Sequence, residues 1–247
     1  MKAFVTTSWD DGHPLDGRLA ELLARYRMPA TFYIPRYCEG RAVMLPDQIR
    51  QLAERFEAGA HTLSHRHLTS LADGEAAAEI ADSRHYLEDL TGRPCVVFAP
   101  PAGRFGPQHL RMASEAGLRG FRTTELLNSG PPRWQHGLAV LPTTLQVYAH
   151  PVASYCRNAF KRMRPALLLN LLRHASSGSL TETFTSLLSH TIARGGVLHL
   201  WGHSWEIEEH GAWAALQFML ARIDERRESL VLGPNSALCR PGEGPLG

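Results

Sequence analysis

Cysteine is scarce and scattered in this 247-residue chain. The four cysteines (Cys38, Cys95, Cys156 and Cys239) form no CxxC pair and lie far apart, so no disulfide framework is expected. Reduced thiols in a bacterial-type cytoplasm are the simplest reading. No apolar run approaches the ~18 residues of a membrane span. The opening Met1-Lys2-Ala3-Phe4-Val5 passes at once to polar residues and Asp10-Asp11. That leaves no room for the apolar core of a signal peptide, and a cytoplasmic location is expected. An excess of one charge is also missing: 26 basic against 24 acidic residues leave a net +2, without the basic field that a nucleic-acid binder uses. With 44% hydrophobic residues the chain has ordinary globular composition. Its length suits one large domain that folds without disulfide or metal. The abundant residue is histidine, with 13 copies, several of them clustered.

Short apolar strands alternate with helical patterns. Residues 3–9 read as a strand ended by Asp10-Asp11-Gly12, and Leu15, Leu19, Leu22, Leu23 and Tyr26 then fall on one helical face. Residues 30–34 are β-rich and stop at Pro35. A helix over 47–56 begins near Pro46, and Ile80, Leu87 and Leu90 stripe another over 75–90. Strands are expected at 95–98, 120–124, 197–201 and 230–232, with helices over 107–116 and through Trp213, Leu216, Leu220 and Ile223. Six or seven β-then-α units predict a mainly parallel sheet in one domain over residues 1–233. The Pro- and Gly-rich tail from 234 to 247 reads as loose. In such architectures ligands sit beyond the carboxyl ends of the strands. Four polar clusters, at 10–11, 61–65, 100–103 and 199–203, should therefore meet on one rim.

Adjacent carboxylates at a strand end suit a division of labour, one ligating a cation and the other handling a proton. Alone, Asp-Asp-Gly is more often a solvated turn. His61-Thr62-Leu63-Ser64-His65 offers two imidazoles four apart, which on a helical turn would grip one metal. Thr62 stands where a zinc-protease helix has Glu, so that pattern fails, and His67 is a third candidate. One carboxylate and two imidazoles form a catalytic rather than a closed structural ligand set. His199 and His203 supply further imidazole near Trp201 and Trp205, and one of the two is expected to be a proton donor. His203, further beyond the apolar strand, is the better candidate.

These segments resemble the polysaccharide deacetylase family (NodB homology domain, carbohydrate esterase family 4). Residues 8–12 are similar to its first motif, 56–68 to its second, 98–103 to its third and 196–203 to its last. The resemblance covers about residues 3–233. It implies an α/β fold, a distorted parallel (β/α)7-type barrel in a single domain, and metal-dependent removal of an N-acetyl group from an amino sugar or glycan. It further implies that Asp11, His61 and His65 hold a divalent metal, most simply Zn2+, with Co2+, Ni2+, Mn2+ or Fe2+ as alternatives. Asp10 would be the base, and His203 or His199 the acid. Pro100, Pro101, Ala102, Gly103, Arg104, Arg122 and Trp201 would form the substrate groove. Ala99 stands where many members carry an Arg that pairs with the catalytic Asp. Either Arg104 or Arg122 replaces it from another position, or Asp10 is tuned differently. Within the same chemistry, a deformylase or amidohydrolase acting on a lipid-linked sugar or other small amide is an alternative. A catalytically silent carbohydrate-binding barrel is another, of a different class. The basic, Leu-rich segment 155–174 is either an extra helix packed on the barrel or a peripheral contact with the inner face of a membrane.

Overall fold

Strand β1 (Ala3–Asp10) is buried along its whole length, including Thr6, Thr7 and Ser8. It lies in the interior of the sheet of a computed structural model that describes residues 2–148, 150–161, 166–175 and 179–239. Alternation follows as expected through α1 (Asp16–Arg25), β2 (Thr31–Ile34), α2 (Pro46–Arg55) and β3 (Glu57–Ala60). It continues through α3 (Asp73–Thr91), β4 (Val97–Phe98), α4 (Pro107–Glu115) and β5 (Gly120–Arg122). Then come β6 (Arg133–Gln135), β7 (Leu138–Leu141) and β8 (Leu145–Gln146). Helices α5 (Val152–Lys161), α6 (Ala166–His174) and α7 (Leu180–Arg194) precede β9 (Val197–Gly202). The described part ends with α8 (Ser204–Glu209), α9 (Trp213–Glu225) and β10 (Leu230–Leu232).

The sheet runs β6-β7-β5-β4-β3-β2-β1-β9-β8, and only the β6–β7 pair is antiparallel. It is the curled, parallel-dominated half-barrel of a single α/β domain. One edge of β1 is shared: Ala3–Val5 pair with β10, and Ser8–Asp10 pair with β2. The strand therefore stays fully bonded up to the rim where its aspartates emerge. Helical faces carrying Leu19, Leu23, Ile49, Leu52, Ile80 and Leu87 cover the sheet and join Trp9, Phe32 and Phe98 in one apolar core. Each such side chain contributes roughly 1.5–3 kcal/mol by leaving water.

Three features differ from the sequence reading. The strand pair β6–β7 is not foreseen, because its two-residue turn uses His136 (φ 51°) and Gly137 (φ 78°). Two positive φ values suit a hairpin turn usually announced by Asn-Gly or Asp-Gly, and His-Gly does not advertise it. Next, the tail is packed as far as Cys239. Residues Asn235–Leu238 form a 3₁₀ turn, with Asn235, Leu238 and Cys239 buried. Asn235 accepts from Thr6 Oγ1 at 2.9 Å, donates Nδ2 to the Tyr33 hydroxyl at 2.8 Å, and donates its backbone N–H to Thr31 Oγ1 at 2.9 Å. A side chain that caps two strands cannot belong to a loose tail; residues 240–247 lie outside the described part. Finally, segment 155–174 folds as two helices, α5 and α6, with 162–165 outside the described residues. The four cysteines are unpaired.

Asn235→Ala should strand the buried Thr6 and Tyr33 hydroxyls. The expected loss is about 2–4 kcal/mol in urea unfolding, and a loss within experimental error would show that Asn235 does not anchor the segment.

Candidate active site

Asp10 and Asp11 end the central strand, 4% and 2% exposed. Asp11 adopts φ 78°, and this left-handed step turns its carboxylate away from the direction that the pleat would impose. The two neighbours thereby gain separate partners. Both Asp10 oxygens accept hydrogen bonds from Nη2 of Arg122, a fully buried guanidinium on β5. Arg122 is held between the rings of Tyr33 and Trp201, 5.1 and 5.0 Å from their centroids. It is the residue that occupies the role vacated at Ala99. Arg104 instead lies 3.4 Å from His67 Nδ1.

Asp11 divides its own oxygens. Oδ2 accepts from Arg41 at 2.6 Å and from the Trp205 indole at 2.9 Å, while the Arg41 guanidinium stacks 3.7 Å over the Trp205 ring. Oδ1 lies 3.0 Å from His65 Nε2 and 3.4 Å from His61 Nε2. Burial alone would raise the Asp11 carboxyl, but hydrogen bonds to His61 and His65 and the charge of His203 hold it well below the usual carboxylate range.

The two imidazoles do not share a helical turn, contrary to the sequence expectation. His61 follows β3 directly, and the chain between it and His65 is a tight loop with Thr62 at φ 57° and His65 at φ 55°. Spacing of four residues thus converges through two left-handed residues instead of through helical periodicity. His61 Nδ1 donates to the Ala99 carbonyl at 2.7 Å, which orients the ring with Nε2 toward Asp11. One ligand atom from each of Asp11, His61 and His65 lies within 4.8 Å of the others. Donor types, a fixed tautomer and an acid held ionised all fit a divalent cation. His67 is not among the three.

His199 and His203 have opposite fates. His199 points inside the sheet, fully buried, its Nδ1 donating to the Pro142 carbonyl at 2.9 Å and its Nε2 accepting from Ser8 Oγ at 2.8 Å. Burial and the charge of Arg122 push its pKa down to about 3, so it stays neutral and structural. His203, the N-cap of α8, places Nδ1 3.1 Å from Glu206 Oε2. Burial would lower its pKa, but Glu206, Asp10 and Asp11 outweigh it and raise it. Glu206 also accepts from Gln146 Nε2 at 2.8 Å, and Gln146 Oε1 accepts from His150 Nε2 at 2.8 Å.

Asp10, Asp11, His61, His65 and His203 line one cleft of about 900 Å3. Ala102, Gly103, Arg104 and Trp201 stand on its wall. Pro100, Pro101 and Arg122 do not: they are buried and absent from the cleft lining, because Arg122 is consumed by Asp10. Ala102, at φ 54°, is the fourth non-glycine residue in the left-handed region here, with Asp11, Thr62 and His65. Such conformations concentrate where function overrides local preference. Sequence reasoning missed Arg41 and Glu206 as partners of the site residues. It also missed Asp16, fully buried, its pKa raised by burial to about 8.

With this geometry in hand, residues 2–121 match the family described as Polysaccharide deacetylase. Over that stretch the chain is similar to the polysaccharide deacetylase family. It is 26% identical over 124 residues to YxkH of Bacillus subtilis (strain 168), which carries a polysaccharide deacetylase name, covering 49% of this chain and 44% of that protein. Against the peptidoglycan-N-acetylmuramic acid deacetylase PdaC of the same organism it is 31% identical over 102 residues, 40% of this chain and 21% of that protein. The chain thus spans less than half the length of either relative. Among solved structures, a Mycobacterium smegmatis protein bearing the same family name superposes with TM-score 0.71 at 15% identity. The overlap covers 96% of this chain and 89% of that one, and shows the fold.

Arg122→Ala would leave Asp10 buried beside no cation. A loss of about 3–5 kcal/mol in thermal or urea unfolding is expected for one half of a buried pair; an unchanged midpoint would show that the pair is not what holds β1 to β5.

Proposed function

We propose that this chain hydrolyses the amide of an N-acetylated amino sugar or glycan with the help of a divalent metal. The observation that carries this reading is that an Asp–Arg pair, an Asp–His–His set and a His–Glu pair, drawn from β1, β5, the loop after β3 and the start of α8, all serve one cleft.

Asp11, His61 and His65 would hold the ion. A divalent cation supplies, when bound there, polarisation of the amide carbonyl and compensation for the negative charge that its oxygen acquires. Asp10 takes the proton of the attacking water. Its orientation is fixed by Arg122, which is itself held between the Tyr33 and Trp201 rings. His203 is held above its ordinary imidazole value, because Glu206 and the two aspartates favour its charged form against burial. It delivers its proton from Nε2 to the nitrogen that departs as an amine, while Nδ1 stays tied to Glu206. The Trp201 indole N–H, buried without a partner and beside the cleft, is a spare donor for the substrate.

The decisive experiment measures acetate and formate release from a panel of free, nucleotide-linked and lipid-linked N-acylated amino sugars, with and without chelator. Acetate release that chelation abolishes is expected. Asp10→Asn should lower turnover by roughly 10²–10⁴-fold, the usual worth of a positioned base, with metal content retained. His61→Ala should lose the metal itself. Full activity in Asp10→Asn would refute the base assignment.

The His203–Glu206 pair makes a prediction of sign. Glu206 holds His203 above its ordinary value, so Glu206→Gln lets burial dominate and the value falls. The alkaline limb of kcat/KM, set by loss of the acid's proton, should move to lower pH. An unmoved limb would exclude His203 as the donor.

A further inference from the structure

Beyond the two aspartates, whose charges are answered by Arg122 and by Arg41 with Trp205, the cleft wall carries two more guanidinium groups. Arg104 and Arg157 are exposed and line it. Among the described residues neither has a carboxylate partner; Arg104 touches His67, and Arg157 reaches only Ser154 Oγ at 3.3 Å. A neutral acetylated sugar offers these two guanidinium groups only uncharged acceptors, whereas a phosphate offers several charged oxygens.

Arg157 belongs to α5, and what adjoins it is apolar. Of the six exposed large hydrophobic side chains among the described residues, three (Phe160, Leu169 and Leu172) sit on α5 and α6. Phe160 lies three residues after Arg157, and Leu169 lies three before Leu172, so each pair shares a helix side; Arg173 is exposed beside them. The helices are fastened to the loop after β5 by Asn158 Nδ2 to the Thr124 carbonyl at 3.0 Å and Asn170 Nδ2 to the Leu127 carbonyl at 2.9 Å. Residues 150–175 contain no Asp or Glu, although the chain has 24 of them, and carry five Lys and Arg. Basic and apolar residues together, without acid, suit a surface resting on anionic lipid. No helix among the described residues is long and apolar enough to cross a membrane.

We propose, building on the deacetylase reading, that the amino sugar reaches this cleft attached to a lipid phosphate. Arg104 and Arg157 hold the phosphate at the rim, and Phe160, Leu169 and Leu172 rest in the surrounding lipid.

The full-length protein should be titrated with dodecyl phosphate, inorganic phosphate and dodecanol by calorimetry. It should also be sedimented with phosphatidylcholine vesicles, pure or with about 30 mol% phosphatidylglycerol. Dodecyl phosphate should bind at least about a hundredfold tighter than either partial probe, since charge and chain both contribute. Arg157→Ala should weaken it about tenfold, as expected for one charge-assisted contact. The chain should sediment with the anionic vesicles, and Phe160→Ser with Leu172→Ser should release it; both positions are exposed, so the variant keeps its core. Inorganic phosphate binding as tightly as dodecyl phosphate would assign a soluble phosphate instead and overturn the proposal. No binding of dodecyl phosphate, or vesicle retention indifferent to the two serines, would overturn it too. Acetate release from a neutral N-acetylglucosamine oligomer, measured on the same preparation, tests the deacetylase reading by itself, so the two failures are distinguishable.

Discussion

The contact between Asp10 and Arg122 constrains the whole architecture. Arg122 lies on β5, four strands from β1 in the sheet order. In a flat sheet, neighbours about 4.8 Å apart would put those backbones roughly 19 Å from each other, beyond the combined reach of an aspartate and an arginine. The pair closes only because the sheet curls, and the curl brings the ends of β1, β3, β5 and β9 around one cavity. Conversely, Asp10 and Arg122 are both buried charges, and each makes the other tolerable. Curvature and catalytic machinery thus share one interaction, which explains why the arginine can stand on β5 in a chain that has Ala99 on β4's side of the rim.

The left-handed step at Asp11 solves a second problem. Two adjacent buried carboxylates would repel if they faced the same space. Turning the chain between them sends Asp10 to Arg122 and Asp11 to the imidazoles, with Arg41 and Trp205 occupying the oxygen that faces away from the histidines. Asp16 shows the alternative. Fully buried and with no arginine paired to it among the described residues, its carboxyl is pushed up to about 8 by burial.

Much of this was legible in the sequence because strand ends in parallel architectures collect ligands. Asp10, Asp11, His61, His65 and His203 could be named from their places after apolar runs, as could the wall at Ala102 and Gly103. Where the reading erred, the missing information was three-dimensional or conformational. The His61–His65 spacing looked helical, yet two positive φ values at non-glycine residues produce the convergence, and no periodicity encodes those. His-Gly concealed a hairpin, and a Pro/Gly-rich tail concealed Asn235 because its partners, Thr6, Thr31 and Tyr33, lie some two hundred positions away. From sequence alone Arg122 is one of two candidates for the arginine missing at Ala99, and part of the groove. Only the curl of the sheet distinguishes it from Arg104.

His199 and His203 sit four residues apart in one segment and show that a residue's chemistry is set by what its strand does next. At His199 the chain is still paired on both sides, to β1 and β8, so the imidazole faces backbone and Ser8 and is kept neutral by burial and Arg122. At His203 the strand has ended and α8 begins. The first turn of that helix brings Glu206 back, three residues on, to the ring nitrogen. The same turn carries Trp205 to Asp11. One strand-to-helix junction therefore orients His203 and braces the Asp11 carboxylate together, coupling the two halves of the proposed chemistry through two consecutive side chains.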